Sequence, residues 1–207
     1  MTIIKICGIT NIPDAREAVS LGADALGFIF APSPRQVTPQ IAREICQEIP
    51  ASIWRVGVFV NADPQVVQKI ADYCGLTILQ FHGEETPAYC AQFSRPIIKA
   101  IRVENYASFR KLANYPSAII LLEGFHPQRR GGTGKAFPWE MALELRKKRN
   151  FILSGGLNPE NVARAISLLQ PWGVDVCSGV ERRPREKDKE KMAQFIKEVK
   201  RADALTK

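Results

Sequence analysis

The chain has 207 residues, 45% hydrophobic and 24% charged, enough for one well-buried core arranged as one large α/β domain or two small ones. No apolar run approaches the ~20 residues a membrane span needs, and Met1 leads directly into "TIIKICGI", which reads as a first strand rather than a charged leader. A cytoplasmic protein with no membrane partner is therefore expected, and five widely spaced cysteines without a C-x-x-C pair fit neither a disulfide framework nor a zinc site, so no metal is expected either.

The net charge of +8 is unevenly placed: residues 101–207 hold 21 of the 29 Lys and Arg but only 12 of the 21 Asp and Glu. A basic half can hold nucleic acid, or it can attract a phosphorylated, carboxylated metabolite. The run "EKDKEKMAQFIKEVKR" interleaves both signs, which is the pattern of a solvated helix face, so nucleic acid is not expected as a partner.

In chain order, short β-branched runs alternate with longer amphipathic ones. The strand candidates are "IIKIC" (3–7), "ALGFIF" (25–30), "RVGVFV" (55–60), "TILQF" (77–81), "IIKAI" (97–101), "AIILLE" (118–123), "FILSG" (151–155) and "VDVCS" (174–178). Near-continuous apolar strands suit a parallel sheet covered by helices. Helix starts between them pair a capping residue with proline: Thr38-Pro39, Asp63-Pro64, Thr86-Pro87 and Asn158-Pro159. Eight such units in one short chain point to a single (β/α)8 TIM barrel over 1–207, with a frayed tail at 202–207. An open dinucleotide-binding sheet would show G-x-G-x-x-G after its first strand, where this chain has "GITNIPDA".

In such a barrel the site lies at the C-terminal ends of the strands. That rule selects Cys7, Arg35 in "APSPR", Asn61, Gln80 and His82, Arg102, Glu123, "SGG" (154–156), and Asp175 with "CSG" (177–179). Loops after strands seven and eight of small barrels often hold phosphate through backbone N–H groups. Here Gly155 and Gly156 in one loop and Ser178 and Gly179 in the next suit that task, with "GGTG" (131–134) positioned to close over them. The spacing is not that of a P-loop.

Cys7 has two readings, a buried thiol or a base or nucleophile activated by nearby positive charge. Glu123 likewise is either an acid beside the anion site or a carboxylate where a strand stops. Neither histidine is an obvious sequence partner for Cys7: His82 ends strand four, and His126 lies in the loop after strand six, where it is expected to be solvated. The other four cysteines are expected to behave as small core residues.

At these residues the chain resembles the phosphoribosylanthranilate isomerases. The resemblance is carried over essentially the whole length by "KICGIT", "GFIFAPSPRQV", "LQFHG", "GGTGKAFPW", "LSGGLNPENV" and "GVDVCSGVE", in the family's order. It implies a (β/α)8 barrel without a cofactor, monomeric or homodimeric, that acts in tryptophan biosynthesis. The implied reaction is the Amadori rearrangement of a small phosphorylated anthranilate, N-(5-phosphoribosyl)anthranilate, to 1-(2-carboxyphenylamino)-1-deoxyribulose 5-phosphate. Such chemistry needs an acid at the furanose ring oxygen and a base at C2. By the motif match Cys7 is the general base and Glu123 the general acid. Arg35 would pair with the anthranilate carboxylate, Asp175 would orient the substrate amine, Gln80 and His82 would line the substrate, and Gly155, Gly156, Ser178 and Gly179 would hold the phosphate.

Three positions depart from the family's pattern. Glu123 stands where aspartate is common, carrying its carboxyl ~1.5 Å further at full extension, so the strand end or the sugar's pose is expected to be adjusted. Pro138 in "FPW" replaces an aspartate and is expected to start helix six differently, and Cys177 replaces a common serine. Rival readings are an indole-glycerol-phosphate synthase, for which Lys5 shares the inward face of Cys7, a histidine-pathway isomerase, which asks for paired aspartates that strands one and five lack, and a regulatory barrel without chemistry.

Overall fold

The computed structural model describes residues 1–124, 137–146 and 150–205. Eight parallel strands alternate with helical segments in the order read from the sequence: β1 (Ile3–Cys7), α1 (Ile12–Leu21), β2 (Ala25–Ile29), α2 (Pro39–Gln47), β3 (Trp54–Phe59), α3 (Pro64–Cys74), β4 (Ile78–Phe81), α4 (Pro87–Cys90), β5 (Ile97–Val103), β6 (Ile119–Gly124), α5 (Leu143–Arg146), β7 (Phe151–Leu153), α6 (Val162–Leu169) and β8 (Gly173–Val176). A 3₁₀ helix (Tyr106–Asn114) covers the sheet between β5 and β6, and a 3₁₀ turn (Trp139–Ala142) leads into α5. Each strand pairs with the next, and β8 returns to β1, so the sheet closes into a barrel. Beyond it lie a small antiparallel hairpin, β9 (Glu181–Arg183) and β10 (Glu186–Lys187), and a long α7 (Lys189–Leu205). No helix of the described residues is long and apolar enough to cross a membrane.

The two faces of the strands do different work. Outward residues such as Ile6, Leu26, Leu79, Ile120 and Val174 are fully buried against the helices in the larger core. Inside the barrel, Ala25, Val56, Ile78, Ile98, Leu121 and Ile152 fill the N-terminal half, and the stacked Trp54 and Trp172 pack beneath them. Further up the same inward positions the side chains turn polar. Period-two alternation carries Ile78 to Gln80, Leu121 to Glu123 and Ile152 to Ser154. The apolar floor is thus continuous with a polar upper chamber.

Three of the four cap–proline signals start helices as read. Thr38 accepts from the Ile41 amide, Asp63 from Gln65 and Val66, and Thr86 from Tyr89. The fourth is corrected. Asn158 and Asn161 satisfy each other's backbone in a local turn, with Asn158 Oδ1 accepting from the amides of Glu160 and Asn161, and helix α6 begins only at Val162. Proline fits the turn as well as a helix start. Pro138 offers no side-chain acceptor, and the chain enters the 3₁₀ turn after it without a cap. The tail expected to fray is helical to Leu205: Ala202 is buried, and Asp203 accepts from the Thr2 amide at 2.7 Å and from its hydroxyl at 2.6 Å.

Candidate active site

The seam between β1 and β8 sets the first part of the site. Register pairs Lys5 with Asp175, and because both side chains point inward they meet in a buried ion pair of 2.6 Å. Ser154, at the end of β7, donates to the other Asp175 oxygen at 3.0 Å. Burial disfavours the Lys5 charge, but the attraction of Asp175, joined by Cys7, more than offsets it and raises the lysine's pKa. Cys7 lies two residues further along the same inward face and is almost fully buried. Its pKa is drawn below that of an ordinary thiol, first by a hydrogen bond from Cys177 and then, against the cost of burial, by the Lys5 ammonium. Cys177, as the donor of that bond, is pushed the other way. Gly27 on β2 leaves the space these groups occupy: a Cβ there would lie 2.7 Å from Cys7 Sγ and 3.1 Å from Lys5 Nζ.

The second part is built by β4 and β6. Glu123 is 3% exposed at the end of β6, and its Oε2 lies 2.7 Å from His82 Nε2. Gln80 Nε2 sits 3.0 Å from the other ring nitrogen, Nδ1. With the amide nitrogen as donor, Nδ1 accepts, and the imidazole proton sits on Nε2 to be donated to Glu123. Gln80 Oε1 is buried with no partner among the described residues. Gly155, in the left-handed region at φ +84°, packs against this carboxylate. A Cβ there would lie 3.2 Å from Glu123 Cγ and 2.9 Å from the Gly124 nitrogen. The loop after β7 thus makes room for the longer side chain by having none of its own.

The third part lies over the seam. Arg35, in the loop after β2, donates from Nε at 2.8 Å and from Nη2 at 2.6 Å to the two oxygens of Glu181. Lys187 from β10 donates to the same carboxylate at 3.2 Å and to the Cys177 carbonyl at 3.0 Å, with its ammonium 3.9 Å from Cys177 Sγ. Burial would raise the Glu181 pKa, but these cations, Arg35 foremost, bring it below the usual carboxylate range. A guanidinium held by its Nε edge in this way is fixed in plane and leaves Nη1 outside the Glu181 fork.

The loops after β7 and β8 meet directly. Gly156 is left-handed at φ +72°, and its carbonyl accepts from Asn161 Nδ2 at 2.8 Å. Ser178 opens a short 3₁₀ turn (Ser178–Val180), and Gly179 within it lies so close to the first loop that a Cβ would overlap the Leu157 carbonyl oxygen. Successive amides in such bends form concave anion cradles.

A family model described as N-(5'phosphoribosyl)anthranilate (PRA) isomerase matches residues 4–198. The chain is 50% identical over 205 residues to the N-(5'-phosphoribosyl)anthranilate isomerase of Desulforudis audaxviator, covering 98% of this chain and all of that protein. It belongs to the N-(5'-phosphoribosyl)anthranilate isomerase family. A Geobacter relative of the same name is 46% identical over 97% of this chain and 99% of its own. Among solved structures, the isomerase of Thermotoga maritima has a TM-score of 0.91 at 43% identity, covering 97% of this chain and 99% of that one. An isomerase solved with reduced 1-(o-carboxyphenylamino)-1-deoxyribulose 5-phosphate has a TM-score of 0.88 at 42% identity, with the same coverage.

As an isomerase barrel, the molecule brings most of the sequence's candidates together and reassigns some. Gln80 and His82 form one chain with Glu123, and Asp175 is held by Lys5 and Ser154. Cys177 is not a core residue like Cys46, Cys74 and Cys90, because it is partly exposed and faces Cys7. Asn61, left-handed at φ +48°, binds neighbouring loop backbone instead of facing the chamber: its Oδ1 accepts from the Glu84 amide at 2.7 Å. Arg102 pairs with Glu84. His126 and the "GGTG" stretch lie outside the described residues. Sequence reasoning missed Glu181 as the holder of Arg35, Lys187 as the second cation on that carboxylate, and the buried Lys99–Glu85 pair at 2.8 Å that braces the loop after β4. Glu181 could have been noticed as the last residue of "GVDVCSGVE", a carboxylate directly after an anion loop.

Proposed function

We propose that Cys7 and Glu123 carry out the isomerisation of N-(5'-phosphoribosyl)anthranilate as general base and general acid. His82 engages Glu123 Oε2, which leaves Oε1 to carry the proton that goes to the furanose ring oxygen. Ring opening then gives a Schiff base between the sugar and the anthranilate nitrogen. The Cys7 thiolate takes the C2 proton, and the enolamine relaxes to the ketone. Asp175 orients the substrate amine, and Arg35 uses its Nη1 for the anthranilate carboxylate while Glu181 holds its Nε edge. Gly155, Gly156, Ser178 and Gly179 receive the phosphate. Both chemical steps are proton transfers, so the reaction calls for no cofactor.

The observation that carries this reading is the difference in setting between the two groups: a thiol biased toward thiolate by Cys177 and Lys5, and a buried carboxyl 2.7 Å from His82 Nε2. The same reading takes 1–207 as one domain working in the cytoplasm, as a monomer or homodimer, on a small phosphorylated anthranilate, without nucleic acid or membrane. The test is consumption of the fluorescent substrate by Cys7→Ala and Glu123→Gln. Both variants should lose turnover while keeping the parent's circular dichroism and melting behaviour. Full activity in either would remove its residue from the mechanism.

A further inference from the structure

Cys177 has no part in the proton transfers, yet it stands against the one thiol held as a nucleophile. The barrel's register explains why. Lys5 pairs with Asp175 and Ile6 with Val176 across the β1–β8 seam; Cys7 and Cys177 follow directly, Cys177 just past the end of β8. The 2.6 Å contact between the Lys5 and Asp175 side chains shows which face of their rung points inward. Two residues on, Cys7 keeps that inward face, and a Cβ at the adjacent Gly8 would lie 2.8 Å from Cys177 Sγ, which brings the two thiols to one corner of the chamber. Neighbouring strands run ~4.8 Å apart, inside the range of about 4.4–6.8 Å between Cα atoms that a disulfide spans.

We propose that Cys7 and Cys177 form a reversible disulfide, making the mouth of the barrel a modification site for a peroxide oxidant. The Cys7 thiolate attacks one oxygen of hydrogen peroxide, the O–O bond breaks, and Cys7 becomes a sulfenic acid while hydroxide leaves and takes up a proton as water. Cys177, giving up its proton, then attacks the Cys7 sulfur and expels the sulfenic oxygen as a second water. Two thiols lose two electrons and the peroxide gains them. Lys187, 3.9 Å from Cys177 Sγ, supplies the positive charge that favours the second thiolate as it forms.

The other thiols lack these features. Burial pushes Cys46 up to about 12 and Cys74 up to about 11, and Cys90 is raised for the same reason, so none of the three offers a thiolate. Cys177 is the partly exposed member of the pair, and a small oxidant reaches Cys7 by the route the substrate would take. The cross-link also removes the proposed base, so oxidation and turnover exclude each other.

The experiment treats the full reduced chain with hydrogen peroxide, blocks remaining thiols with N-ethylmaleimide under denaturing conditions, and digests with trypsin. The expected result is a fall from five alkylated cysteines to three, with peptide 6–16, "ICGITNIPDAR", linked to peptide 165–182, "AISLLQPWGVDVCSGVER". Dithiothreitol should separate the peptides and restore turnover. In Cys177→Ser, peroxide should instead carry Cys7 on to the sulfinic acid, and dithiothreitol should no longer rescue activity. Peptides that stay separate with five thiols intact, oxygen accumulating on Cys7 of the unsubstituted chain, or a link between Cys46 and Cys74 would each overturn the proposal. The cross-link is read as mass, so it stands or falls independently of whether Cys7 is the base, which turnover of reduced Cys7→Ala decides.

Discussion

Shortening the acid by one methylene tests whether this site is built around the longer side chain. In Glu123→Asp the carboxyl withdraws by ~1.5 Å, the length of one C–C bond. The 2.7 Å contact to His82 Nε2 then opens to about 4 Å along that line, beyond hydrogen-bond reach. The strand offers little slack for recovery, because β6 is paired with β5 through Glu123 and Gly124. A misplacement of ~1 Å costs on the order of 100-fold in rate, equivalent to about 2.7 kcal/mol of barrier at ~1.36 kcal/mol per tenfold. Steady-state fluorescence of substrate consumption should therefore show kcat down by about 100-fold with KM nearly unchanged, since the groups proposed for the phosphate and carboxylate lie elsewhere. Thermal unfolding should move little. A variant with the parent's kcat, or better, would refute the idea that His82 and Gly155 have fixed the acid at glutamate length.

Lys5→Met strips the charge partner from a buried Asp175, which should cost about 3–5 kcal/mol of stability in urea unfolding. It also removes a cation that lowers the Cys7 pKa. Turnover that needs the thiolate is present above that pKa and lost as pH falls through it, so the acidic limb of kcat/KM should move to higher pH in whatever fraction folds. Glu181→Gln loosens the fork that holds Arg35. If that fork positions the arginine for a substrate carboxylate, KM should rise about tenfold, the worth of ~1.5 kcal/mol of charge-assisted bonding, with a smaller change in kcat. Gly179→Ala drives a Cβ into the Leu157 carbonyl and should separate the two anion loops. An unfolding free energy lowered by ~1–3 kcal/mol and weaker inhibition by inorganic phosphate are the expected readouts.

The barrel was legible because its strands are nearly continuous apolar runs, and no open-sheet or alternating pattern competes with eight of them. Element edges followed where a side chain makes one bond to one amide, as at Thr38, Asp63 and Thr86. They failed at Asn158-Pro159, where two asparagines three residues apart compete with the helix for the same backbone groups. The strand-end rule found Cys7, His82, Glu123 and Asp175, since parity and position along a strand are local properties. It could not find the bonds between them. Arg35 and Glu181 are 146 residues apart and meet only because the barrel closes. The Cys177 departure was visible as a lost hydroxyl, but its contact with Cys7 depends on the register of first strand against last.

That closure has a consequence for how activity arises in time. The Lys5–Asp175 pair straddles the line where the ends of the sheet join, Cys7 and Cys177 lie just beyond it, and Thr2 is tied to Asp203 near the same end of the chain. A chain emerging from the ribosome holds Cys7 from the start but has an ordinary thiol until β8 arrives some 170 residues later. The reagent is made first and armed last. A partly synthesised barrel, open along this edge, would expose Cys7 as a largely protonated thiol, only about a few per cent ionised near pH 7.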